Sequence, residues 1–358
     1  MSRNLIISLL LGILIFSSKA ALSAPISEDL NSAVAYAYFQ IGEDDADDQS
    51  LSLGAFLGQI KEITENHYNV ASITQVLDAQ KSGKTLPPRT IILTFEKFDR
   101  GFLRDVWPIL EENNLPFLLF LNAAKLDTAS SDEDSLDPNW DDARTLENSP
   151  LSEIGITPYS YTHSANIDNS DIEMDINRAK TLFREKMEIE PLYFSYPFGE
   201  FTPDYLDVIS KQGFMAAFTQ ASGVIGLSTP RNLIPRFTMT DSFSDIERFR
   251  MTSSALPFPV TGITPMSVFS KANPPSLGFT ASNDIPDQDI KKMNCFASGI
   301  SDVSIHSTEH RIQIEIPTAF DDGKGRVNCT IPVSVTDGSG DDDNLRWRWL
   351  GFQFSFPE

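Results

Sequence analysis

A carboxylate and an amine stand side by side at the end of a strongly apolar segment. Glu96 and Lys97 follow the run Thr90–Phe95 and precede a segment whose apolar residues have helical spacing. Ligands of α/β folds bind at the carboxyl ends of parallel strands, so this position favours a role in a cleft. There the carboxylate would move protons and the amine would stabilise negative charge. A surface ion pair at a strand exit, which contributes little to stability, is the alternative.

Histidine, the usual acid–base group near neutral pH, is scarce in this chain. The four histidines are His67, His163, His306 and His310. The spacing of His306 and His310 is similar to that of a two-histidine metal motif, but the pair joins two segments of alternating hydrophobicity. We therefore expect it to flank a hairpin turn, and we expect His67 at the surface or at a helix cap. The sequence has no Gly-x-Ser-x-Gly nucleophile elbow and no glycine-rich phosphate loop.

The elements that must position these groups alternate between buried strands and helices up to about residue 256. The apolar runs expected to be strands are 33–39, 90–95, 115–121, 192–196 and 214–219. The segments expected to be helical are 53–65, 102–110, 171–187 and 203–212. Continuous apolar runs are typical of strands covered on both faces, so the alternation predicts an α/β fold with a mainly parallel sheet. Residues 124–147 are acidic and polar and are expected to form a long surface loop.

The pattern changes near residue 257. Five prolines lie between residues 257 and 275, which predicts a stiff connection. The segments beyond it alternate with a period of two, as in Ile312–Ile316 and Ile331–Val335. This period is typical of antiparallel strands with one exposed face. We expect a Pro-rich linker over 257–277 and a small antiparallel β-sandwich over 278–358.

The N-terminal residues have the order of a secretory signal peptide. Arg3 is followed by an apolar run over 5–16 and then by small residues, and cleavage after Ser23 fits this pattern. An uncleaved anchor is the alternative, although the run is short for a bilayer span. We expect an exported chain, periplasmic or extracellular. In that compartment Cys295 and Cys329 are expected to form a disulfide, with two buried free thiols as the alternative.

The charge of the chain limits its partners. The 358 residues carry 28 Lys+Arg against 50 Asp+Glu, a formal net charge of −22. Such a chain repels phosphate backbones and anionic lipid surfaces, so neither nucleic acid nor a membrane is expected as a partner. No stretch after the first segment is long and apolar enough to span a bilayer.

Four segments, in order and at the expected spacing, resemble the motifs of the polysaccharide deacetylase family, which is of the carbohydrate esterase type and is also known as the nodulation-factor deacetylase homology domain. These are Thr94–Lys97 with the helix and strand that follow, Tyr159–His163, Phe194–Glu200 and Pro235–Phe237. The resemblance covers roughly residues 31–358, because the tail is similar to a C-terminal extension of some exported bacterial members. It implies a distorted (β/α) barrel of the glycoside hydrolase/deacetylase type over 24–256, after a signal peptide over 1–23.

Members of that family hold a divalent metal, usually zinc, with one aspartate and two histidines, and use another aspartate as base. By this resemblance Glu96 occupies the position of the base. Lys97 replaces the metal aspartate and Tyr159 replaces the first histidine, so that only His163 remains as a ligand. One imidazole does not hold a catalytic zinc that normally has three protein ligands. We therefore expect no cofactor, with zinc or another divalent metal only if the site is retained in altered form.

A degenerate site of this kind leads to a specific functional hypothesis. We expect the Lys97 amine to take over the electrostatic role of the metal and to compensate Glu96. The chain would then be a weakly active or inactive homologue that binds an N-acetylated polysaccharide or oligosaccharide. The side chains expected to bind it are Tyr161, Tyr196, Phe198 and Arg236. The alternatives are an active hydrolase that cleaves the acetamide C–N bond of an N-acetylglucosamine polysaccharide, and a structural protein without a ligand.

Overall fold

The computed structural model describes residues 26–42, 47–129, 136–165, 167–335 and 344–357. The predicted signal peptide and part of the acidic cluster after residue 42 lie outside these ranges. No helix within them is long and apolar enough to cross a bilayer.

An eight-stranded parallel sheet forms the first half of the molecule. Its strands are β1 (Val34–Tyr38), β2 (Asn69–Val70), β3 (Thr90–Phe95), β4 (Phe117–Leu121), β5 (Ser152–Ile156), β6 (Tyr193–Ser195), β7 (Ala216–Phe218) and β8 (Phe237–Met239). They are ordered β7-β6-β5-β4-β3-β1-β8, and β2 also pairs with β3. The sheet curves into a distorted (β/α) barrel with β7 and β8 at its ends, which confirms the predicted fold class.

Eight helices accompany these strands in the described residues. They are α1 (Leu53–Glu65), α2 (Ile73–Ser82), α3 (Trp107–Glu112), α4 (Ala123–Asp127), α5 (Trp140–Glu147), α6 (Asn169–Met187), α7 (Pro203–Lys211) and α8 (Ile246–Ser253). A single wide π-turn over Phe102–Val106 leads into α3. Pro108 explains this turn, because its ring would collide with the carbonyl of residue 104 in a regular α-helix.

The strands of the barrel are buried as their composition predicts. Every residue of β1, β3 and β4 is buried. Gly155 on β5 permits the closest packing in this sheet, since a Cβ there would lie 2.6 Å from the Phe120 ring. The carboxyl ends of all these strands lie at one edge of the sheet, where Glu96 follows β3 and the candidate residues of the loops after β5 and β6 also lie, while Arg236 directly precedes β8.

The segment 124–147, expected to be a surface loop, contains two helices instead. Asn139 caps α5, and its side chain accepts hydrogen bonds from the backbone N–H groups of Asp141 and Asp142. Trp140 and Leu146 are buried on the inner face of this helix. The acidic residues around them conceal this short apolar stripe, which is the reason the sequence pattern indicated a loop.

Two four-stranded sheets, antiparallel except for one short edge strand, pack face to face in the C-terminal part of the chain. Their elements are β9 (Leu256–Pro257), β10 (Val260–Thr264), β11 (Leu277–Ala281), α9 (Asp287–Ile290), β12 (Asn294–Ala297), β13 (Ser304–Thr308), β14 (Arg311–Glu315), β15 (Lys324–Val335) and β16 (Asn344–Ser355). The sheet orders are β10-β11-β14-β13 and β12-β15-β16-β9, with β9 parallel to β16. Segment 257–277, which the sequence marks as a linker, thus includes the edge strand β10.

The predicted disulfide is present within this sandwich. Cys295 on β12 and Cys329 on β15 are cross-strand neighbours, and their sulfur atoms are 2.08 Å apart. Both cysteines are buried in the apolar core between the sheets. The disulfide thus joins the edge strand β12 to the long central hairpin of the sandwich.

The sandwich is joined to the barrel through β16. The Arg348 guanidinium donates two hydrogen bonds to the Asp29 carboxylate, at 2.6 and 2.9 Å, and both side chains are buried. Trp349 packs edge-on against Phe237 of the barrel, with ring centroids 5.2 Å apart. Trp349 therefore serves in packing between the two parts of the chain.

Candidate active site

The Glu96 carboxylate, which follows β3, is held by the buried guanidinium of Arg236, which directly precedes β8. Glu96 is 2% exposed and Arg236 is 0% exposed. Nη2 of Arg236 lies 3.4 Å from Oε1 of Glu96 and donates a 2.9 Å hydrogen bond to Oγ of Ser195. Nε of Arg236 donates to the carbonyl of Thr219 at 2.8 Å. Burial of a charge is tolerated when it is paired and hydrogen-bonded in this way.

This geometry corrects two predictions. Arg236 was expected to bind substrate, but it is fully buried and binds Glu96. Lys97 was expected to compensate Glu96, and Arg236 has that role instead. Arg236 directly precedes an apolar strand in the sequence, but its pairing with Glu96 is not evident from that position.

The second oxygen of the Glu96 carboxylate has no hydrogen-bond partner. Glu96 Oε2 is buried and unpaired among the described residues. Glu96 lines a cleft of about 420 Å³. The other residues of its lining include Lys97, Phe98, Phe120, Asn122, Thr157, Tyr159, Ser160 and Tyr161. An unpaired buried acceptor is costly, so a hydrogen-bond donor on a ligand in this cleft would stabilise the site.

The Lys97 amine pairs with a carboxylate other than that of Glu96. Its backbone is left-handed, with φ of 52°, and Nζ forms an ion pair with Asp47. Partial burial raises the pKa of Asp47, but hydrogen bonds from Lys97 and from the backbone of Gln49 outweigh this effect and lower it. Asp47 is thus the counter-ion of the amine.

Tyr159 forms one wall of the cleft. The guanidinium of Arg178, on α6, lies 3.5 Å from the centre of its ring, a cation–π contact. The Asn122 side chain donates to the carbonyls of Pro158 and Tyr159 at 2.9 and 3.1 Å and anchors this loop. One face of the Tyr159 ring is therefore covered by Arg178.

His163 is held by a carboxylate and an aromatic ring. Its Nδ1 is 3.0 Å from Oε2 of Glu200, which is buried, while the His163 side chain is 56% exposed. The imidazole stacks on Phe198 with centroids 4.0 Å apart. Glu200 is the last residue of the motif Phe194–Glu200, but nothing in the sequence indicated that it would bind the histidine.

Tyr161 and Tyr196 have different surroundings. Tyr161 lines the cleft and packs edge-on against Phe198 at 5.2 Å. Burial, followed by the negative charge of Glu96, raises the pKa of Tyr161 far above its usual range, so its hydroxyl stays protonated. Tyr196 is fully buried and donates to the carbonyl of Asn232 at 3.1 Å. Its predicted stacking on a sugar is wrong, because it offers no face to solvent.

The other histidines lie apart from this cleft. His306 and His310 flank the turn between β13 and β14, as predicted. His306 contacts Glu315 at 3.0 Å and His310 contacts Asp287 at 2.9 Å, so each has its own carboxylate. His67 is exposed after α1.

The donor set does not fit the zinc site that the resemblance implies. Across the described ranges, no three His, Cys, Asp or Glu side chains are grouped to hold a metal ion. The three positions in question present the Lys97 amine, the Tyr159 phenol and the single imidazole of His163. An ammonium and a phenol in place of a carboxylate and an imidazole are poor zinc ligands.

Three comparisons with known proteins agree with this architecture. Residues 83–217 match the sequence model of the polysaccharide deacetylase family. A poly-beta-1,6-N-acetyl-D-glucosamine N-deacetylase of Escherichia coli (strain K12) is 26% identical over 246 residues, covering 57% of this chain and 37% of that protein. The chain therefore spans well under half the length of this curated relative.

Two solved structures share the fold. A de-N-acetylase from Aggregatibacter actinomycetemcomitans has a TM-score of 0.53 and 19% identity, covering 61% of this chain and 99% of its own. IcaB from Ammonifex degensii has a TM-score of 0.54 and 19% identity, covering 63% of this chain and 97% of its own. At these identities the likeness establishes the fold of the barrel. The residues that line the cleft lie within the stretch 83–217, which matches the polysaccharide deacetylase family.

Proposed function

We propose that this chain binds a polymer of N-acetylglucosamine in the cleft around Glu96 and hydrolyses it weakly or not at all. The observation that carries the proposal is the buried, unpaired Oε2 of Glu96 at the cleft. The name of the Escherichia coli relative suggests the β-1,6-linked polymer as the first ligand to test.

The lining of the cleft suits a sugar that carries an amide. Glu96 Oε2 would accept a hydrogen bond from the amide N–H or from a hydroxyl of the ring. Tyr161 adds a neutral hydroxyl, and aromatic side chains offer the apolar faces on which sugar rings pack. Ser160 adds a further hydroxyl at the exposed rim.

Weak hydrolysis follows from the charges at the site. In the family a carboxylate and two imidazoles hold the ion that activates water. Here the corresponding amine of Lys97 is bound to Asp47, and His163 is bound to Glu200. The second candidate is an N-deacetylase of the same polymer, which the retained carboxylate of Glu96 at the base position favours.

Calorimetric titration with β-1,6-linked N-acetylglucosamine oligomers tests binding, and an acetate assay on the same samples tests hydrolysis. We expect saturable binding without stoichiometric acetate release. Tyr161→Ala should weaken binding about tenfold, since it removes an aromatic contact. Phe296→Ala is the matched control, because Phe296 is an exposed ring of the sandwich. Absence of binding overturns the proposal, and rapid acetate release establishes the alternative.

We also propose that the protein is exported. The disulfide between Cys295 and Cys329 supports this location, because such bonds persist in oxidising compartments. Fractionation of cells that express the full chain, with N-terminal sequencing of the product, tests the location and the cleavage after Ser23. Retention of the complete chain in the cytoplasm would contradict it.

A further inference from the structure

The C-terminal sandwich reaches the cleft through two neighbouring side chains. Arg326 on β15 and Gln353 on β16 are cross-strand partners. Nη1 of Arg326 donates to the carbonyl of Gln220, and Nε2 of Gln353 donates to the carbonyl of Phe198, each at 2.8 Å. Both carbonyls belong to barrel loops that follow β7 and β6 at the carboxyl end of the sheet.

The two loops also contact each other closely. Gly199 has φ of 70°, and a Cβ at this position would lie 2.5 Å from the backbone nitrogen of Gln220. No side chain fits between these loops, so a shift of one moves the other. The sandwich therefore fixes a single unit made of both loops.

Phe198 connects this unit to the aromatic wall of the cleft. Its φ of 56° places a bulky residue in the left-handed region, which persists only where the surroundings hold it. Its ring stacks on His163 at 4.0 Å and meets the edge of Tyr161 at 5.2 Å. The hydrogen bond from Gln353 is a contact that holds the backbone of Phe198 in this conformation.

The second loop connects the sandwich to the Glu96 pair. Thr219 precedes Gln220, and its carbonyl accepts the 2.8 Å hydrogen bond from Nε of Arg236. The Arg236 guanidinium in turn pairs with Glu96. The strand pair β15–β16 thus touches the backbone behind both halves of the cleft.

We propose that Gln353, supported by Arg326, is a positioning residue of the cleft, and that the sandwich fixes the orientation of His163 and Tyr161 through Phe198. The expected effect of Gln353 on glycan binding rests on the proposed function. Its expected effect on the orientation of His163 does not, because that orientation is measured in the protein without ligand.

Nuclear magnetic resonance of the His163 ring tests the proposal directly. A ring stacked on Phe198 has its carbon-bound protons shifted upfield, and His163→Gln assigns them among four histidines. We expect Gln353→Ala to move these signals downfield, towards the position they take in Phe198→Leu. The signals of the other three histidines should stay in place.

Gln313→Ala is the matched control, since Gln313 on β14 donates to Ser276 within the sandwich. Gln353→Glu keeps the size of the side chain and removes the donor, so it decides the matter if the alanine variant does not fold. Unchanged His163 signals in a folded Gln353 variant overturn the proposal. Failure of both variants to fold overturns it equally, because the role would then be structural.

Titration with the N-acetylglucosamine oligomers gives the second readout. Loss of one hydrogen bond behind the wall should weaken binding about fivefold in Gln353→Ala and leave it unchanged in Gln313→Ala. If the wild type binds no oligomer, the proposed function fails while the resonance measurement still decides the role of Gln353. If the oligomer binds equally to both variants although His163 moves, the link from Phe198 to recognition is refuted.

Discussion

Arg236 fixes the orientation of the Glu96 carboxylate at the cleft. The pair is buried, and Ser195 and Thr219 satisfy other donors of the guanidinium. A carboxylate bonded to Arg236 at one oxygen and buried without a partner at the other has a defined orientation, which suits recognition of a single donor. Because both charges are buried, removal of either one would destabilise the fold.

Removal of Arg236 alone should destabilise the protein strongly. Arg236→Ala leaves the buried carboxylate of Glu96 without a counter-ion, which costs about 3–5 kcal/mol. The joint change Glu96→Leu with Arg236→Met should restore most of this stability. Urea unfolding followed by fluorescence measures both. An Arg236→Ala variant as stable as the wild type would show that Glu96 is hydrated in solution.

Two substitutions should rebuild a metal site. Lys97→Asp with Tyr159→His adds a carboxylate and an imidazole beside His163, which is a ligand set that zinc prefers. We expect stoichiometric zinc in this variant after dialysis, measured by mass spectrometry of the metal. Lys61→Asp with Tyr159→His is the control, because Lys61 is an exposed residue of α1. A folded double variant without zinc would show that Glu200 and Phe198 hold His163 too firmly to act as a ligand.

The ion pairs that the sequence did not predict join residues that are distant in sequence. Glu96 and Lys97 line the cleft, and a charged pair after an apolar run is a local signal in the sequence. Their counter-ions, Arg236 and Asp47, lie 140 and 50 positions away. The three-dimensional arrangement decides which cation pairs with which carboxylate. These pairings could therefore not be predicted from the sequence alone.

At the scale of elements, the end of α6 is secured by a small charge network. Nζ of Lys180 lies 2.9 Å from Oε1 of Glu190, and Arg184 pairs with the other oxygen. The hydrogen bond from Arg184 is the main cause that lowers the pKa of Glu190 from 4.5 to about 2. This network fastens the turn after α6 to the helix.

Acid should loosen this turn. Because the folded-state pKa of Glu190 is lowered, the stabilisation is present above pH 4.5 and is lost as the pH falls towards about 2. The carboxylate is half exposed, so the contribution is below about 1 kcal/mol. Glu190→Gln should therefore lose less stability than the wild type between pH 6 and pH 3. Glu185→Gln, on the exposed face of α6, should behave as the wild type in the same urea titrations.

The strands of the barrel were more predictable than its short helices. Runs such as Thr90–Phe95 are apolar without interruption, and a strand covered on both faces is their simplest explanation. α5 has only a narrow apolar stripe among acidic residues, and its capping by Asn139 is a three-dimensional fact. The edge strand β10 was hidden for a related reason, because prolines on both sides of it resemble a linker.

At the scale of the whole molecule, the disulfide stabilises the domain that supports the cleft. It closes a loop with a sequence separation of 34. Cys295→Ala with Cys329→Ala should lower stability by about 3–4 kcal/mol in the chain-entropy account. Thermal unfolding with and without reductant measures this, since reduction should affect the wild type and leave the variant unchanged. Equal melting of the reduced and oxidised wild type would contradict the expectation.

β16 carries three contacts that tie distant parts of the chain together. Arg348 binds Asp29, Trp349 packs on Phe237, and Gln353 holds Phe198. Asp29 and Arg348 are separated by 319 positions, among the longest separations in the protein. During synthesis on the ribosome, the segment that precedes β1 therefore cannot close its ion pair until Arg348 has been translated. A chain that ends before Arg348 leaves this buried aspartate without its guanidinium, so the barrel of such a chain should be less stable.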